Sequence, residues 1–280
     1  MKTITTEEIS SAVARLCMEA NYYLGPDVLE YFKKAKDEEI SPAGKDIFDQ
    51  LILNAEIAEK NQVPMCQDTG FAVVFLDIGQ DVRITGGNIY DAVNDGVRKG
   101  YTGGYLRKSI VDHPFNRKNT GDNTPAVIHT EIVPGENLKI TVAPKGGGSE
   151  NMSAVKMLKP SEGLEGAKKF VIETVKAAGP NPCPPIIVGV GIGGTFEKCA
   201  LLSKKALLRE LGRPSRFPDI AELERDLLAS INNLGIGPQG LGGRITALAV
   251  HVEIHPCHIA SLPVAVNINC HAARHRETVL

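Results

Sequence analysis

The residues of this 280-residue sequence best suited to metal or redox chemistry are its six cysteines. Cys17 and Cys199 fall within apolar helical patterns, so they are expected to be small buried hydrophobes. Cys66, Cys183 and Cys270 instead lie on irregular backbone at the ends of predicted strands. Thiolates in such settings are the ligands of metal ions and iron–sulfur clusters. The three are far apart in sequence, and their spacing alone leaves a shared site open.

A zinc site is a competing interpretation. Residues 255–258 read HPCH, and Cys270 is followed by His271 and His275, which together offer nitrogen and sulfur ligands for a tetrahedral ion. The spacing matches no zinc-finger pattern. It favours instead a packed Cys257 thiol in a turn.

Three glycine-rich segments predict places where backbone approaches a ligand or another element closely. Residues 145–151 read KGGGSEN after a predicted strand, an arrangement in which bare N–H groups can face an anion. Residues 189–194 read GVGIGG, which fits a dinucleotide-binding pattern. That pattern needs a second strand ending in an acid about 20 residues later, but Glu210 lies in a helical pattern. A close strand-to-helix turn is the better interpretation. Residues 235–243 form the third segment.

Composition excludes several classes of protein. The formal charge of −2 provides no basic excess for nucleic acid or an anionic membrane, and 42% hydrophobic residues exclude a disordered chain. No apolar run reaches the roughly 18 residues of a membrane span. The first residues lack the apolar core of a secretory signal, so we expect a cytoplasmic protein with reduced thiols.

The hydrophobic periodicity predicts an α+β fold with mixed helix and sheet. A helical N-terminal segment (residues 1–60) is expected to pack on a mixed-sheet catalytic region (residues 61–280), the whole chain forming one domain. Further helices are predicted over 89–99, 164–178, 195–211 and 218–234, and strands over 71–78, 81–84, 125–133, 138–143, 185–190, 245–254 and 262–268. The strand at 81–84 is expected to pair with 71–78, and the strands around Pro134 and Gly135 to form a hairpin.

Taken together, the motifs resemble those of a known family. In chain order they are PMCQDTG at 64–70, KGGGS at 145–149, CPP at 183–185, GGT at 193–195 and GIG at 235–237. This order is similar to that of the α subunit, or N-terminal domain, of iron–sulfur (class I) fumarate hydratases, with L-tartrate dehydratase α subunits as close relatives. The resemblance extends from about residue 10 to near the end of the chain.

The resemblance implies a [4Fe–4S] cluster held by Cys66, Cys183 and Cys270. Three thiolates leave one iron without a protein ligand, and that iron would act as a Lewis acid on the C2 hydroxyl of malate. The implied activity is the reversible hydration of fumarate to L-malate, a step of the tricarboxylic acid cycle.

The resemblance also implies residues that meet the substrate. Gln67 and Asp68 match substrate-contacting residues, Arg107 matches an arginine that grips a carboxylate, and Gly148 supplies the backbone N–H beside it. His258 matches a histidine near the substrate. Asp68 or His258 is the expected catalytic residue that relays the hydroxyl proton, an assignment made from position alone.

In the family, the C3 base and further substrate-binding residues lie in a C-terminal domain, and this sequence ends at Leu280. We therefore expect a small dicarboxylate substrate and a separate β subunit, in a heterotetramer or a larger assembly. Dehydration of L-tartrate on the same cluster remains open, as does, at the other extreme, a non-catalytic zinc-binding or scaffold protein.

Overall fold

The computed structural model describes residues 2–280. The chain forms two compact units. The first consists of the residues up to Gly25, Asn54–Gly147 and Arg274–Leu280, and the second of Pro26–Leu53 and Gly148–Ala273. Helices and strands are mixed in both, which confirms the α+β class.

The helices and strands have the following bounds. The helices are α1 (Thr6–Tyr22), α2 (Pro26–Glu38), α3 (Pro42–Asn61), α4 (Ile89–Gly103), α5 (Gly147–Glu150), α6 (Gly163–Ala178), α7 (Phe196–Ala206) and α8 (Pro218–Asn232). The strands are β1 (Lys2–Thr5), β2 (Phe71–Gly79), β3 (Val82–Thr85), β4 (Val127–Val133), β5 (Leu138–Lys145), β6 (Ala154–Leu158), β7 (Ile186–Gly193), β8 (Ala247–His255), β9 (Leu262–Asn269) and β10 (Arg276–Val279).

The first unit packs α1 and α4 on a four-stranded sheet of order β10-β5-β2-β4. Thr5 and Glu8 form a capping box that begins α1. The two helices approach closely because α4 carries glycine where they meet. A Cβ on Gly96 would lie 2.6 Å from the Ser10 carbonyl oxygen, and one on Gly100 would lie 2.7 Å from that of Ala14. The sheet and both helices share one apolar core.

Two predicted strand pairings are wrong. The strands flanking Pro134 and Gly135 form no hairpin, because β2 lies between β4 and β5, parallel to the first and antiparallel to the second. The connecting segment passes over the end of β2, where the Gly135 carbonyl accepts the Asp81 N–H at 3.0 Å. Likewise β3 pairs with β1, not β2. Alternation of apolar and polar residues identifies a strand and its buried face, but not its neighbour.

The second unit has a sheet of order β6-β9-β7-β8, in which β7 is parallel to β8 and antiparallel to β9. Helices α6 and α8 contribute to its apolar core. Helix α7 lies directly on β7, since a Cβ on Gly189 would be 2.1 Å from the Ser203 carbonyl oxygen and one on Gly191 equally close to that of Cys199. These glycines therefore serve helix–strand packing. No strand lies between α7 and α8, which confirms the predicted strand-to-helix turn.

Candidate active site

The Cys66–Gly70 loop connects α3 to β2 in the first unit and is held through its backbone. The Met65 N–H donates to the Asn21 carbonyl at 3.0 Å. The Tyr101 hydroxyl lies 2.8 and 3.0 Å from the carbonyl oxygens of Thr69 and Gly70. Tyr101 is fully buried, so the loop rests on a rigid part of the core. Such anchoring fixes the positions of the side chains the loop presents.

Both carboxylate oxygens of Asp68 accept backbone hydrogen bonds. The Gly147 N–H donates to Oδ2 at 2.8 Å, and the Gly70 N–H donates to Oδ1 at 3.0 Å. Gly70 has φ +73°, and a Cβ there would lie 2.7 Å from the backbone of Lys145. The motif at 64–70 and the start of the glycine motif at 145–149 therefore meet in one place.

The backbone of Arg107 is hydrogen-bonded to the same Cys66–Gly70 loop. The Thr69 hydroxyl donates to the Arg107 carbonyl at 3.0 Å, while the Arg107 side chain is exposed. The guanidinium group has no ion-pair partner within residues 2–280. Gln67 is also exposed, and its Oε1 lies 3.4 Å from the Cys66 sulfur.

Arg274 is a buried cation of the first unit. Its side chain is 5% exposed, and Nη2 donates to the carbonyl of Asp68. Nε and Nη1 are buried and have no hydrogen-bond partner in the part of the chain that the structure describes. Buried charges are normally paired, so this one calls for an anionic group nearby. Its signal in the sequence is weak: an arginine four residues after Cys270.

In the second unit, Cys183 and Cys270 belong to adjoining backbone segments. Cys183 precedes β7 and Cys270 follows β9, as predicted. The His271 N–H donates to the Cys183 carbonyl at 3.2 Å, and the two strands pair from Ile187 and Asn269 onward. Cys183 is exposed and Cys270 half-buried. The antiparallel pairing of β7 and β9 thus places two of the three predicted ligands at one end of the sheet.

Gly148 lies in the same unit, next to the Cys183 segment. It is exposed, and a Cβ at this position would point towards the Asn181 carbonyl oxygen at 3.7 Å. This carbonyl is two residues before Cys183. The second half of the glycine motif at 145–149 therefore adjoins the cysteine end of the sheet.

His258 lies elsewhere in the second unit. It precedes β9, whereas Cys270 follows it, and the eight residues of that strand span about 26 Å. Its ring Nδ1 accepts the Ala260 N–H at 3.2 Å, and the side chain lines a pocket of about 600 Å³ with Gly194, Phe196 and other residues. Within this unit the structure does not bring His258 together with Cys183 and Cys270.

The remaining cysteines have other settings. Burial raises the pKa of the Cys17 thiol to about 12 and also raises that of Cys199, so both are poor thiolates at neutral pH. Cys257 is exposed, and its thiol donates to the Ser261 carbonyl at 3.3 Å. All six cysteines lie outside disulfides.

Within residues 2–280, no three side chains of His, Cys, Asp or Glu lie close enough to ligate one metal ion. The zinc interpretation based on Cys257, Cys270 and the nearby histidines therefore lacks a ligand set. An iron–sulfur cluster makes a different demand, because each cysteine binds a different iron.

None of the helices within residues 2–280 combines the length and the apolar composition needed to cross a membrane.

Comparison with known proteins identifies the class. A family model described as "Fumarate hydratase (Fumerase)" matches residues 10–279. The chain is 47% identical, over 95% of each sequence, to a Methanocaldococcus jannaschii protein named "Putative L(+)-tartrate dehydratase subunit alpha". It is 36% identical to the protein named "L(+)-tartrate dehydratase subunit alpha" in Escherichia coli O157:H7 and in strain K12, over 100% of this chain and 92% of theirs.

These names all describe hydro-lyases. The chain belongs to the fumarate hydratase family. The resemblance seen in its motifs is thereby confirmed.

Proposed function

We propose that the chain is the α subunit of a [4Fe–4S]-dependent hydro-lyase that reversibly hydrates fumarate to L-malate. The proposed cluster ligands are Cys66, Cys183 and Cys270. The observation that carries the proposal is the hydrogen bond from His271 to the Cys183 carbonyl, which joins the segments of two of these cysteines at one end of a sheet. Membership of the fumarate hydratase family supports the reaction class.

The donor set suits a cluster of this kind. The three proposed ligands are exposed or half-buried, unlike the buried Cys17 and Cys199. The unpaired charge of Arg274 beside the Asp68 carbonyl suits an anionic group in that region. When bound by three thiolates, a [4Fe–4S] cluster supplies a Lewis-acidic iron with one position open to substrate.

The substrate-binding roles fall to four residues. Arg107 has an exposed side chain whose guanidinium can hold a carboxylate through two parallel hydrogen bonds, and Gly148 is an exposed residue whose backbone N–H is proposed to serve the same purpose. Gln67 and Asp68 are presented by the anchored loop and are proposed to contact the rest of the substrate. Anchoring favours catalysis because the groups are already placed when the substrate arrives.

In the dehydration of L-malate, a base removes the proton from C3, and the C2 hydroxyl leaves as water after its oxygen has gained a proton from a second group. Asp68 is the proposed catalytic residue that transfers the proton to or from the hydroxyl oxygen, because N–H donors hold both its oxygens in one orientation. His258 is at the opposite end of β9 from Cys270, and its part in proton transfer stays a prediction from the resemblance. The C3 base is proposed to come from the β subunit.

The relatives named "subunit alpha" support a β partner for this chain. We propose a heterotetramer or larger assembly in which the partner completes the substrate site. The cytoplasmic location stays a prediction.

L-Tartrate dehydration is the second candidate, because the three relatives described above carry that activity in their names. Tartrate differs from malate by a hydroxyl at C3. A site with a polar group for that hydroxyl discriminates strongly between the two acids, since an unpaired buried group is costly.

The test begins with anaerobic loading of the full chain with iron and sulfide. We expect a bound cluster with broad visible absorbance in the wild type and in Cys199→Ser, and its loss in Cys183→Ser, since of these two cysteines Cys183 is a proposed ligand and Cys199 is not. The loaded chain is then combined with its β partner and assayed on L-malate, fumarate and L-tartrate. Retention of the cluster by Cys183→Ser would refute the ligand assignment, and turnover of tartrate in preference to malate would select the second candidate.

A further inference from the structure

The glycine-rich segment at residues 235–243 has no role in the function proposed so far. It connects α8 to β8 and folds back on itself, since a Cβ on Gly237 would lie 2.1 Å from the Gly242 carbonyl oxygen. It also presses on the segment that leads to Cys183, because a Cβ on Gly240 would lie 2.2 Å from Cβ of Pro180. Glycine at position 237 allows the segment to fold back on its own backbone, and glycine at position 240 leaves room for the Pro180 ring.

Glu39 anchors the far end of this glycine-rich segment. Its carboxylate is 1% exposed and accepts the N–H groups of Arg244 and Ile245 at 2.8–3.0 Å. A Cβ on Gly243 would lie 2.6 Å from Oε1 of Glu39, so that contact also requires glycine. The segment therefore has a fixed position.

Gln239 lies in the middle of the glycine-rich segment and contacts both of the backbone segments that carry Cys183 and Cys270. Its backbone N–H and its Nε2 both donate to the Pro184 carbonyl, at 2.8 and 2.7 Å. Nε2 also lies 3.2 Å from Nδ1 of His271. Pro184 follows Cys183 and His271 follows Cys270, so a single side chain contacts the residue after each cysteine.

His271 completes the connection. Its backbone N–H donates to the Cys183 carbonyl, and its Nδ1 lies 3.2 Å from the same oxygen. That nitrogen either accepts from Gln239 or donates to Cys183, depending on the tautomer. Both arrangements keep the ring between the two segments.

The geometry points to Gln239 as a positioning residue that sets the spacing of Cys183 and Cys270 for cluster binding. This inference rests on the proposed function. Hydrogen bonds behind metal ligands orient them and raise the affinity of the site. The backbone of Gln239 supports the assignment, because φ is +52°, a conformation that favours glycine or asparagine. Glutamine is disfavoured there, yet its longer amide is what reaches Pro184 and His271.

The test separates a positioning role from a role in folding. It uses variants whose residues adopt the left-handed backbone conformation at position 239 readily but whose side chains are too short to contact Pro184 and His271. Gln239→Gly and Gln239→Asn relieve the left-handed conformation, so the apoprotein is expected to unfold no earlier than the wild type. Asparagine shortens the side chain that carries the amide, and glycine removes it. We therefore expect the loaded full chain to release its iron to a chelator roughly tenfold faster or more, followed by visible absorbance and by iron and sulfide content.

Gln62→Gly is the matched control. Gln62 has φ +53° and an exposed side chain whose hydrogen bonds run to Tyr23 and Glu59. The loaded Gln62→Gly variant is expected to release iron at the wild-type rate. Wild-type release from both Gln239 variants would overturn the inference, as would an apoprotein destabilised enough to account for the faster loss. Failure of the wild type itself to take up iron and sulfide would instead refute the proposed function.

Discussion

Asp68 shows how single residues are fixed in the proposed site. Its two carboxylate oxygens and its carbonyl oxygen each accept a hydrogen bond, from Gly147, Gly70 and Arg274 respectively. A group held in this way loses little freedom when substrate binds, and the remaining lone pairs point in defined directions. Arg107 is the opposite case, with a fixed backbone and an exposed side chain. Its contribution is therefore best tested through binding.

Arg107→Ala is expected to raise KM for malate and to lower kcat/KM about 10- to 100-fold, because hydrogen bonds between charged groups contribute about 1.5–3 kcal/mol. The iron content of the chain should not change. Steady-state kinetics with the β partner present measure the effect, and Arg117→Ala, another exposed loop arginine, is the control. A large fall in kcat at unchanged KM would contradict a carboxylate-binding role.

Arg274→Met is expected to weaken cluster retention without unfolding the chain. Methionine fills similar space, and loss of the unpaired buried charge offsets loss of the hydrogen bond to Asp68, so the apoprotein should keep its stability to within about 1 kcal/mol. Iron release from the loaded chain should be several-fold faster. Arg276→Met, two residues further on and half-buried, serves as the comparison. Equal iron release by both variants would show that the buried charge does not serve the cluster.

At the scale of elements, one buried carboxylate joins the end of α2 to the start of β8. Glu39 follows α2 and accepts backbone N–H groups from Ile40 and Ser41 in addition to those of Arg244 and Ile245. Burial alone raises the pKa of Glu39, but these backbone donors outweigh it, and the pKa lies below its usual value of 4.5. The ionised form is therefore the one that stabilises the fold.

Glu39→Gln should lower the free energy of unfolding by about 2–3 kcal/mol at pH 7, because an amide NH₂ would face backbone donors and leave some of them unpaired. The folded-state pKa is depressed, so the contribution of the carboxylate is complete above pH 4.5 and declines as the pH falls through the folded-state pKa. Urea unfolding at several pH values tests this. A difference between variant and wild type that stays constant down to pH 3 would exclude the ionised carboxylate as its source.

At the scale of the whole molecule, the sequence predicts where the motifs lie relative to the helices and strands, but it does not predict which segments pack beside them in space. The sequence correctly places Cys183 and Cys270 beside strand ends and Cys66 in the loop between a helix and a strand, because prolines, glycines and a change of periodicity mark the ends of elements. Strand order was missed because β4 and β5 pair on either side of β2, which no local pattern encodes. Local patterns do not distinguish Gln239 or Arg274 from other loop residues, since their hydrogen bonds run to segments distant in sequence.

Acid stability of the chain is expected to depend on His251, a buried residue of β8. Burial, assisted by the charge of Arg209, lowers the pKa of His251 to about 4, and Nδ1 lies 3.2 Å from the Ala206 carbonyl oxygen. The unfolded chain takes up this proton near pH 6.5, whereas the folded chain does so only near pH 4. Stability due to the neutral ring is thus complete above pH 6.5 and is lost as the pH falls to about 4.

His251→Gln keeps a donor for Ala206 but cannot titrate. Between pH 7 and pH 4 the wild type should therefore lose about 3 kcal/mol more unfolding free energy than the variant, the equivalent of the pKa difference. Urea or thermal unfolding across this range measures the slopes. His113→Gln, at an exposed position, should retain the wild-type slope. Parallel slopes for His251→Gln and the wild type would mean that the buried ring is not the group whose protonation opposes folding, and would direct attention to the neighbouring Glu224 and Arg209 ion pair instead.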